Sequence, residues 1–289
     1  MSTSAVANKP KFDWTKLAFT VWGVLVFIFL FMPIAWIVVY SFNTGRILTD
    51  WNGFGLDGYK SFFENAAPRN AVMVSLGVAA LSALVATVLG SLAGVALARR
   101  PGRWSGAFLV LVALVLVTPE IVDAIALLPW YVLLGQDMNI TAFNSGWVRL
   151  IFSHAVFSTA VVTLIVRARL AGIDESLEEA AGDLYATPTK RFTQITLPLM
   201  LPAVLAGGLL AFTLSLDNTV ISSFVSVQGV TPWPVYVFAS VKASLRPEIA
   251  SISTLMFLLT VFVIGMVAVV LRRGGDSNSG IAATMTGTG

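Results

Sequence analysis

Long apolar runs alternate with short polar joints along this chain. Apolar residues dominate about 17–42, 70–98, 104–134, 147–166, 198–224 and 249–271. A helix needs about 20 such residues to cross a bilayer. The pattern therefore predicts an all-α, polytopic membrane protein with six transmembrane helices. The first run is too long for a signal-peptide core and has no small-residue cleavage site behind it, which predicts an uncleaved anchor. In the second, Ala79, Ala83, Ala86, Gly90 and Gly94 form a small-residue stripe of the kind that lets helices approach closely in lipid. As one helix the third run would measure about 46 Å, longer than a ~30 Å hydrocarbon core. Pro119 and Pro129 are the predicted breaks. Pro198, Pro202 and Gly207-Gly208 soften the start of the fifth run.

One polar joint differs from the others. From Asp174 to Pro198, charge returns in a helix-forming pattern. Leu177, Ala180, Ala181 and Leu184 recur at i, i+3, i+4 and i+7, so they share one face of a short helix. Glu175, Glu178, Glu179 and Asp183 fill much of the remainder. Asp174 or Ser176 can cap its start, and Ser176 with Glu179 has capping-box spacing. Tyr185-Ala186 ends it. Thr187 then serves as N-cap of a second helix with Pro188 at its first position. The outer joint 43–69 carries Trp51, Phe54, Tyr59, Phe62 and Phe63 and is expected to be half-ordered at an interface, where aromatic rings settle. The joint 225–248 contains a short amphipathic piece, 235–241. The domain reading is an N-terminal segment 1–16, a membrane-spanning body 17–271 with the joint 170–197, and a Gly/Ser/Thr-rich tail 272–289 expected to be disordered.

Charge gives this layout a direction. Charged residues make up only 11% of the chain, against roughly 25% in soluble domains. Twelve of the eighteen Lys and Arg lie on one side of a six-span topology: Lys9, Lys11, Lys16, Arg99, Arg100, Arg103, Arg167, Arg169, Lys190, Arg191, Arg272 and Arg273. The other six are Arg46, Lys60, Arg69, Arg149, Lys242 and Arg246. The bias places both termini and the polar joint 170–197 in the cytoplasm. Because the basic residues flank spans instead of forming a patch, they give no nucleic-acid surface. With no cysteine and one histidine, thiolate and His-cluster metal sites are excluded. There is no Walker A sequence, no HExxH and no Gly-x-Ser-x-Gly elbow, so the chain is read as non-enzymatic. Any energy source belongs to another chain. No internal repeat supports an inverted-repeat carrier.

The joint also carries a motif. Glu179-Ala180-Ala181, then nine residues between position 185 and Ile195, then Leu197-Pro198, resembles the EAA motif of ABC importer permeases, which reads Glu-Ala-Ala, three residues, Gly, nine residues, Ile-x-Leu-Pro. Tyr185 stands where the family has Gly, a residue that takes positive φ easily. The resemblance extends to Tyr40-Ser41-Phe42-Asn43, Thr118-Pro119-Glu120-Ile121-Val122, His154, Phe212 to Asp217 and Val220 to Ser226. These stretches look like the second permease of spermidine/putrescine-type importers. There Ser-Leu-Asp-Asp is usual where this chain has Asn218 after Asp217, and a Gly-Pro-Gly where it has Val227-Gln228-Gly229.

The resemblance implies an ABC type I importer permease fold in a bacterial inner membrane. It implies a coupling surface (Leu177, Glu178, Glu179, Ala180, Ala181, Leu184 and Tyr185) for an ATP-hydrolysing subunit. The implied partners are an ATPase dimer that binds the ATP and Mg, a second homologous permease, an extracytoplasmic solute-binding protein and the lipid bilayer; no cofactor lies in this chain. The implied cargo is a small cationic organic solute such as putrescine or spermidine, with amino-acid-like or opine-like solutes as the alternative. A self-contained channel or secondary carrier, and a membrane scaffold without transport, are the readings from other classes.

Ionisable residues inside spans are costly and usually face a cavity. Counted from the cytoplasmic edge at 1.5 Å per residue, Glu120 and Asp217 both fall about 22–24 Å up. Asp123 is expected about one turn above Glu120, and His154 about 10 Å in from the outer side. Glu120, Asp123, His154 and Asp217 are thus candidate substrate-pathway residues, and the resemblance adds Asn218, which stands where the family usually has its second acid. Three of these have a plainer role open to them. Asp217 can cap or pack a helix, Glu120 can satisfy donors freed at Pro119, and His154 can be a satisfied packing residue.

Overall fold

The computed structural model describes residues 14–45, 50–243 and 246–273. The helices are α1 (Trp14–Tyr40), α2 (Asp57–Glu64), α3 (Ala66–Arg99), α4 (Arg103–Val117), α5 (Glu120–Val132) and α6 (Gly146–Ala171). They continue with α7 (Ser176–Asp183), α8 (Pro188–Arg191), α9 (Leu197–Asp217), α10 (Val220–Val225), α11 (Trp233–Ala243) and α12 (Pro247–Arg273). A π-helical turn, Phe192–Thr196, joins α8 to α9. Among the described residues, five stretches are long and apolar enough to cross a membrane: α1, α3, α6, Pro188–Asp217 and α12. A sixth exists if α4 and the stretch Glu120–Asp137 count together, and these are bent by 105°. The expectations for 1–13 and for the tail 274–289 lie outside the described residues.

Two expected spans come out differently. Run 104–134 breaks sharply at Thr118-Pro119, as its first proline predicts. Thr118 is extended, φ −63 and ψ 129, because the proline ring crowds an α-conformation at the residue before it. Pro129, however, sits inside α5 without ending it, and a π-helical turn follows at Leu133–Asp137. Asp123 therefore does not continue up the axis of α4, and the depth reckoning along one straight helix fails for it. Run 198–224 is also not one helix. It ends at Asp217 and restarts at Val220.

The chain divides into two compact units, 1–61 with 246–254 and 62–245 with 255–289. In the first, the joint after α1 is folded by its polar side chains. Asn43 Nδ2 donates to the Asp50 carbonyl (2.8 Å), and Asn43 Oδ1 accepts from the amides of Gly45 (3.1 Å) and Asn52 (3.0 Å). Phe42 stacks on Phe54 at 4.9 Å. Ser251 Oγ donates to the Ser41 carbonyl at 2.7 Å. No residue of α1 is buried, which suits a helix apolar all round its circumference and solvated by lipid.

The second unit is built on α3, α6 and α9. Association of helices in lipid rests on van der Waals contact and interhelical hydrogen bonds, and the small-residue stripe supplies the first. A Cβ at Gly90 would stand 2.7 Å from Val162 Cβ and 2.9 Å from the Thr159 carbonyl; at Gly94 it would stand 2.9 Å from the Thr163 carbonyl. Only glycine permits this approach of α3 to α6. One core cluster gathers Ala83 and Ala86 of α3, Val162, Val166 and Leu170 of α6, and Met200 and Ala211 of α9. The other brings Val74 and Val78 of α3 together with Ala124 and Tyr131 of α5, Leu150 of α6, and Ile221 and Val225 of α10. The piece expected at 235–241 is the longer α11, whose first amide, at Trp233, donates to Ser75 Oγ at 2.7 Å.

Candidate functional site

The polar joint folds as a short helix, a sharp turn and a second helix. Asp174, not Ser176, closes the start. Its Oδ1 accepts from the Ser176 amide at 2.9 Å, and the expected capping box with Glu179 is absent because Ser176 is already inside the helix. That amide bond, foremost, holds the Asp174 carboxyl below the usual carboxylate range. Its contribution to the turn is thus present at neutral pH and lost as pH falls through the lowered value. Thr187 caps α8 through the Lys190 amide, and Pro188 takes the first helical position.

Arg99, at the end of α3, holds α7 in place. Its Nε donates to Glu178 at 2.9 Å and its Nη1 to Glu175 at 3.1 Å. The same guanidinium reaches the carbonyls of Leu170 (3.3 Å) and Ile173 (3.4 Å). Glu178 is turned inward on this clamp. The apolar side of α7 is turned outward: Leu177 is 49% exposed and Leu184 81%, and Ala180 is exposed, while Ala181 is half-buried. Glu179 is exposed as well. A surface helix ordinarily does the reverse, burying its apolar stripe. The apolar face of α7 is thus left exposed while Glu178 is held against the bundle.

Tyr185 resolves the departure from the motif. It adopts positive φ, 60°, the conformation that the family's glycine supplies. The Ala186 amide donates to the Ala181 carbonyl and the Tyr185 amide to the Gly182 carbonyl, both at 2.9 Å, a Schellman closure with a tyrosine at the left-handed position. A side chain there costs about 1–2 kcal/mol, and the ring is 95% exposed, so no internal packing offsets it. Tyr185→Gly is therefore expected to stabilise the turn by about 1 kcal/mol. Slower amide exchange at Tyr185 and Ala186 would register the gain; unchanged or faster exchange would refute the strain.

The candidate pathway residues divide. His154 is 3% exposed, with Nδ1 2.6 Å from Ser215 Oγ and Nε2 2.9 Å from Ser222 Oγ. Ser82 Oγ donates to Ser215 Oγ at 3.0 Å. This buried chain ties α3, α6, α9 and α10 together. It makes His154 a satisfied packing residue in this conformation, not a group open to a pathway. Asn218 caps α10, its Oδ1 accepting from the amides of Ile221 (3.1 Å) and Ser222 (3.4 Å). Amide donors at a helix start explain a short polar acceptor there. Asp217, by contrast, is exposed, and Glu120 and Asp123 are half-buried. None of these three carboxylates has an ion-pair partner among the described residues.

Asp123 borders a cavity of about 340 Å³ between α5 and α6. Asp123, Ala126, Leu127 and Trp130 line it from α5, at i, i+3, i+4 and i+7. Ser153, Val156 and Phe157 line it from α6, and Ile221 from α10. Sequence reasoning reached Asp123 but missed Trp130, Ser153 and Phe157. It also missed Arg99, which in the chain is only one of several basic residues at a turn. The i, i+3 spacing of Glu175 and Glu178 was the one available sign that an inward-facing cation awaited them.

A bundle of helices long and apolar enough to cross a membrane, with an anchored helical joint presenting an apolar face, defines a polytopic integral membrane protein. The chain belongs to the family of binding-protein-dependent transport system inner membrane components, which matches residues 86–274. It is 41% identical over 246 residues to the putrescine transport system permease protein PotI of Escherichia coli K12, covering 84% of this chain and 86% of that one. It is 34% identical over 255 residues to the spermidine/putrescine transport system permease protein PotC of the same strain, covering 88% and 94%. A solved bacterial alginate ABC transporter, in complex with a periplasmic protein bound to an alginate pentasaccharide, contains a chain of the same fold. That match has a TM-score of 0.65 at 16% identity and covers 91% of this chain and 96% of that one. The protein is thus a transmembrane subunit of the ABC importer class, with the all-α permease fold.

Proposed function

We propose that this chain forms half of an ATP-driven import pathway for a small cationic solute of the putrescine or spermidine kind. The observation that carries the reading is the outward-turned apolar face of α7, held rigidly by Arg99, in a chain with no nucleotide-binding sequence of its own. An ATPase dimer, with its ATP and Mg, docks on Leu177, Ala180, Leu184 and Tyr185, and wraps the exposed Glu179 on the flank of the same short helix. A second homologous permease completes the pathway, and an extracytoplasmic binding protein delivers the solute. The two-to-one excess of Lys and Arg supports a cytoplasmic position for this joint and both termini. On this reading 17–271 is the permease body. Closure of the ATPase pair moves α7, and α7 passes the movement to α3 through Arg99. The names and identities of the two relatives support the choice of solute.

The test is ATP-dependent uptake of labelled putrescine into vesicles holding the complete transporter. Uptake that requires ATPase and binding protein supports the reading; uptake without them points to a self-contained carrier. Asp217, exposed and without an ion-pair partner among the described residues, supplies a second arm. Asp217→Asn is expected to lower putrescine uptake about tenfold with unchanged assembly. Wild-type uptake by this variant would remove Asp217 from the pathway.

A further inference from the structure

We propose that the cavity between α5 and α6 seats the ammonium group of the transported solute, with Asp123 as its counter-ion and Trp130 and Phe157 as its aromatic walls. The proposal rests on the reading of the protein as a cation importer and gives that reading a particular site. The cavity's volume, about 340 Å³, falls in the range of small-molecule sites, about 300–1,000 Å³. Its chemistry is sparse and specific. The Asp123 carboxylate lacks an ion-pair partner among the described residues, and a lone carboxylate in an apolar bundle is costly until a cation meets it. Trp130 and Phe157 approach from facing helices, and aromatic faces attract organic cations. Ser153 adds an acceptor. Its Oγ donates to the Arg149 carbonyl at 2.7 Å and lies 2.9 Å from the Tyr131 hydroxyl, which fixes its position and leaves a lone pair free. Leu127 and Val156 offer methyl and methylene surface to an alkyl chain. An anion is disfavoured by Asp123, and a sugar would leave most of its hydroxyls unpaired on such walls. One carboxylate is too few for a metal ion.

The cavity exists because of the bend at Thr118-Pro119. Past that bend, α5 packs on α10, while Tyr131 reaches Ser153 of α6 and holds the gap. After the 105° bend, Asp123 and Trp130 of α5 line one cavity with Phe157 of α6.

The experiment uses the complete transporter in vesicles and reads KM and maximal rate for labelled putrescine. Membrane abundance and ATPase co-purification are followed as controls of folding. Asp123→Asn is expected to raise KM about tenfold and Trp130→Ala about three- to tenfold. Asp123→Glu is expected to stay within about threefold of wild type, since it restores the charge. A wild-type KM in Asp123→Asn, with wild-type uptake intact, overturns the cavity assignment and leaves the importer reading standing. If Asp123→Asn is lost from the membrane, Trp130→Ala decides, and a wild-type KM there overturns the assignment. If the wild-type transporter moves no cation under ATP, both readings fall together.

Discussion

Arg99→Ala is expected to leave the protein in the membrane and to disconnect α7 from the bundle. The Arg99 side chain is 12% exposed and that of Glu178 25%. Removing the guanidinium strips Glu178 of its charged partner and takes one donor from each of the Leu170 and Ile173 carbonyls, of which Leu170 keeps the Ile173 amide at 3.1 Å. Breaking a fully buried ion pair costs about 3–5 kcal/mol. Here Glu175, 65% exposed, is screened and contributes little, so a local loss of about 2 kcal/mol is the reasonable figure. That corresponds to about a thirtyfold rise in the open population of the joint, readable as faster amide exchange over 174–186. Uptake is expected to fall by at least about tenfold, because in the proposed function α7 carries the ATPase movement and a loosened α7 transmits little of it. Arg99→Lys should recover only part, since an ammonium cannot span two carboxylates and two carbonyls as the planar fork does. Unchanged exchange in Arg99→Ala would show that the clamp is ornamental.

Glu179→Lys attacks the other side of the same helix. Glu179 is exposed and makes no ion pair among the described residues, so folding and insertion should be indifferent to it. It is next to Ala180 in the chain and exposed, and the proposed ATPase interface is read to include it. There a reversed charge costs several kcal/mol through like-charge contact and lost complementarity. ATPase co-purification is expected to fall about 10–100-fold and uptake with it, at normal membrane abundance. If co-purification and uptake survive, the docking surface lies elsewhere. The two variants separate two meanings of a failed joint. Arg99→Ala should change exchange within the isolated chain, whereas Glu179→Lys should change only association.

Much of this was legible in the chain because lipid imposes simple rules. Every backbone polar group must be satisfied within the span, so apolar runs of sufficient length had to be helices, and α1, α3, α6, α9 and α12 lie close to where the runs place them. The stripe through Gly90 and Gly94 announced close packing because no other residue permits it. The Thr187-Pro188 start of α8 followed from local hydrogen bonding alone. The EAA spacing carried the family. Its missing glycine correctly marked Tyr185 as the position where backbone and side chain disagree.

What the chain could not contain is direction. A run of apolar residues records that a stretch is in lipid, not whether it bends, and the 105° turn at Pro119 and the break after Asp217 moved Asp123 and Asn218 away from where a straight helix puts them. Nor does a polar residue state its partner. His154 and Asn218 looked like pathway groups by type and depth, and became a packing hub and a cap once Ser215, Ser222 and the amides of α10 arrived from distant positions. Arg99 and Glu178 are far apart in sequence, as are Trp130 and Phe157 on neighbouring helices. Local propensity and burial are properties of single segments, so the sequence by itself determined the helices, their membrane setting and the family. Pairing between segments is a property of the packed bundle, and only the tertiary structure decided the clamp that holds α7 and the cavity that Asp123 faces.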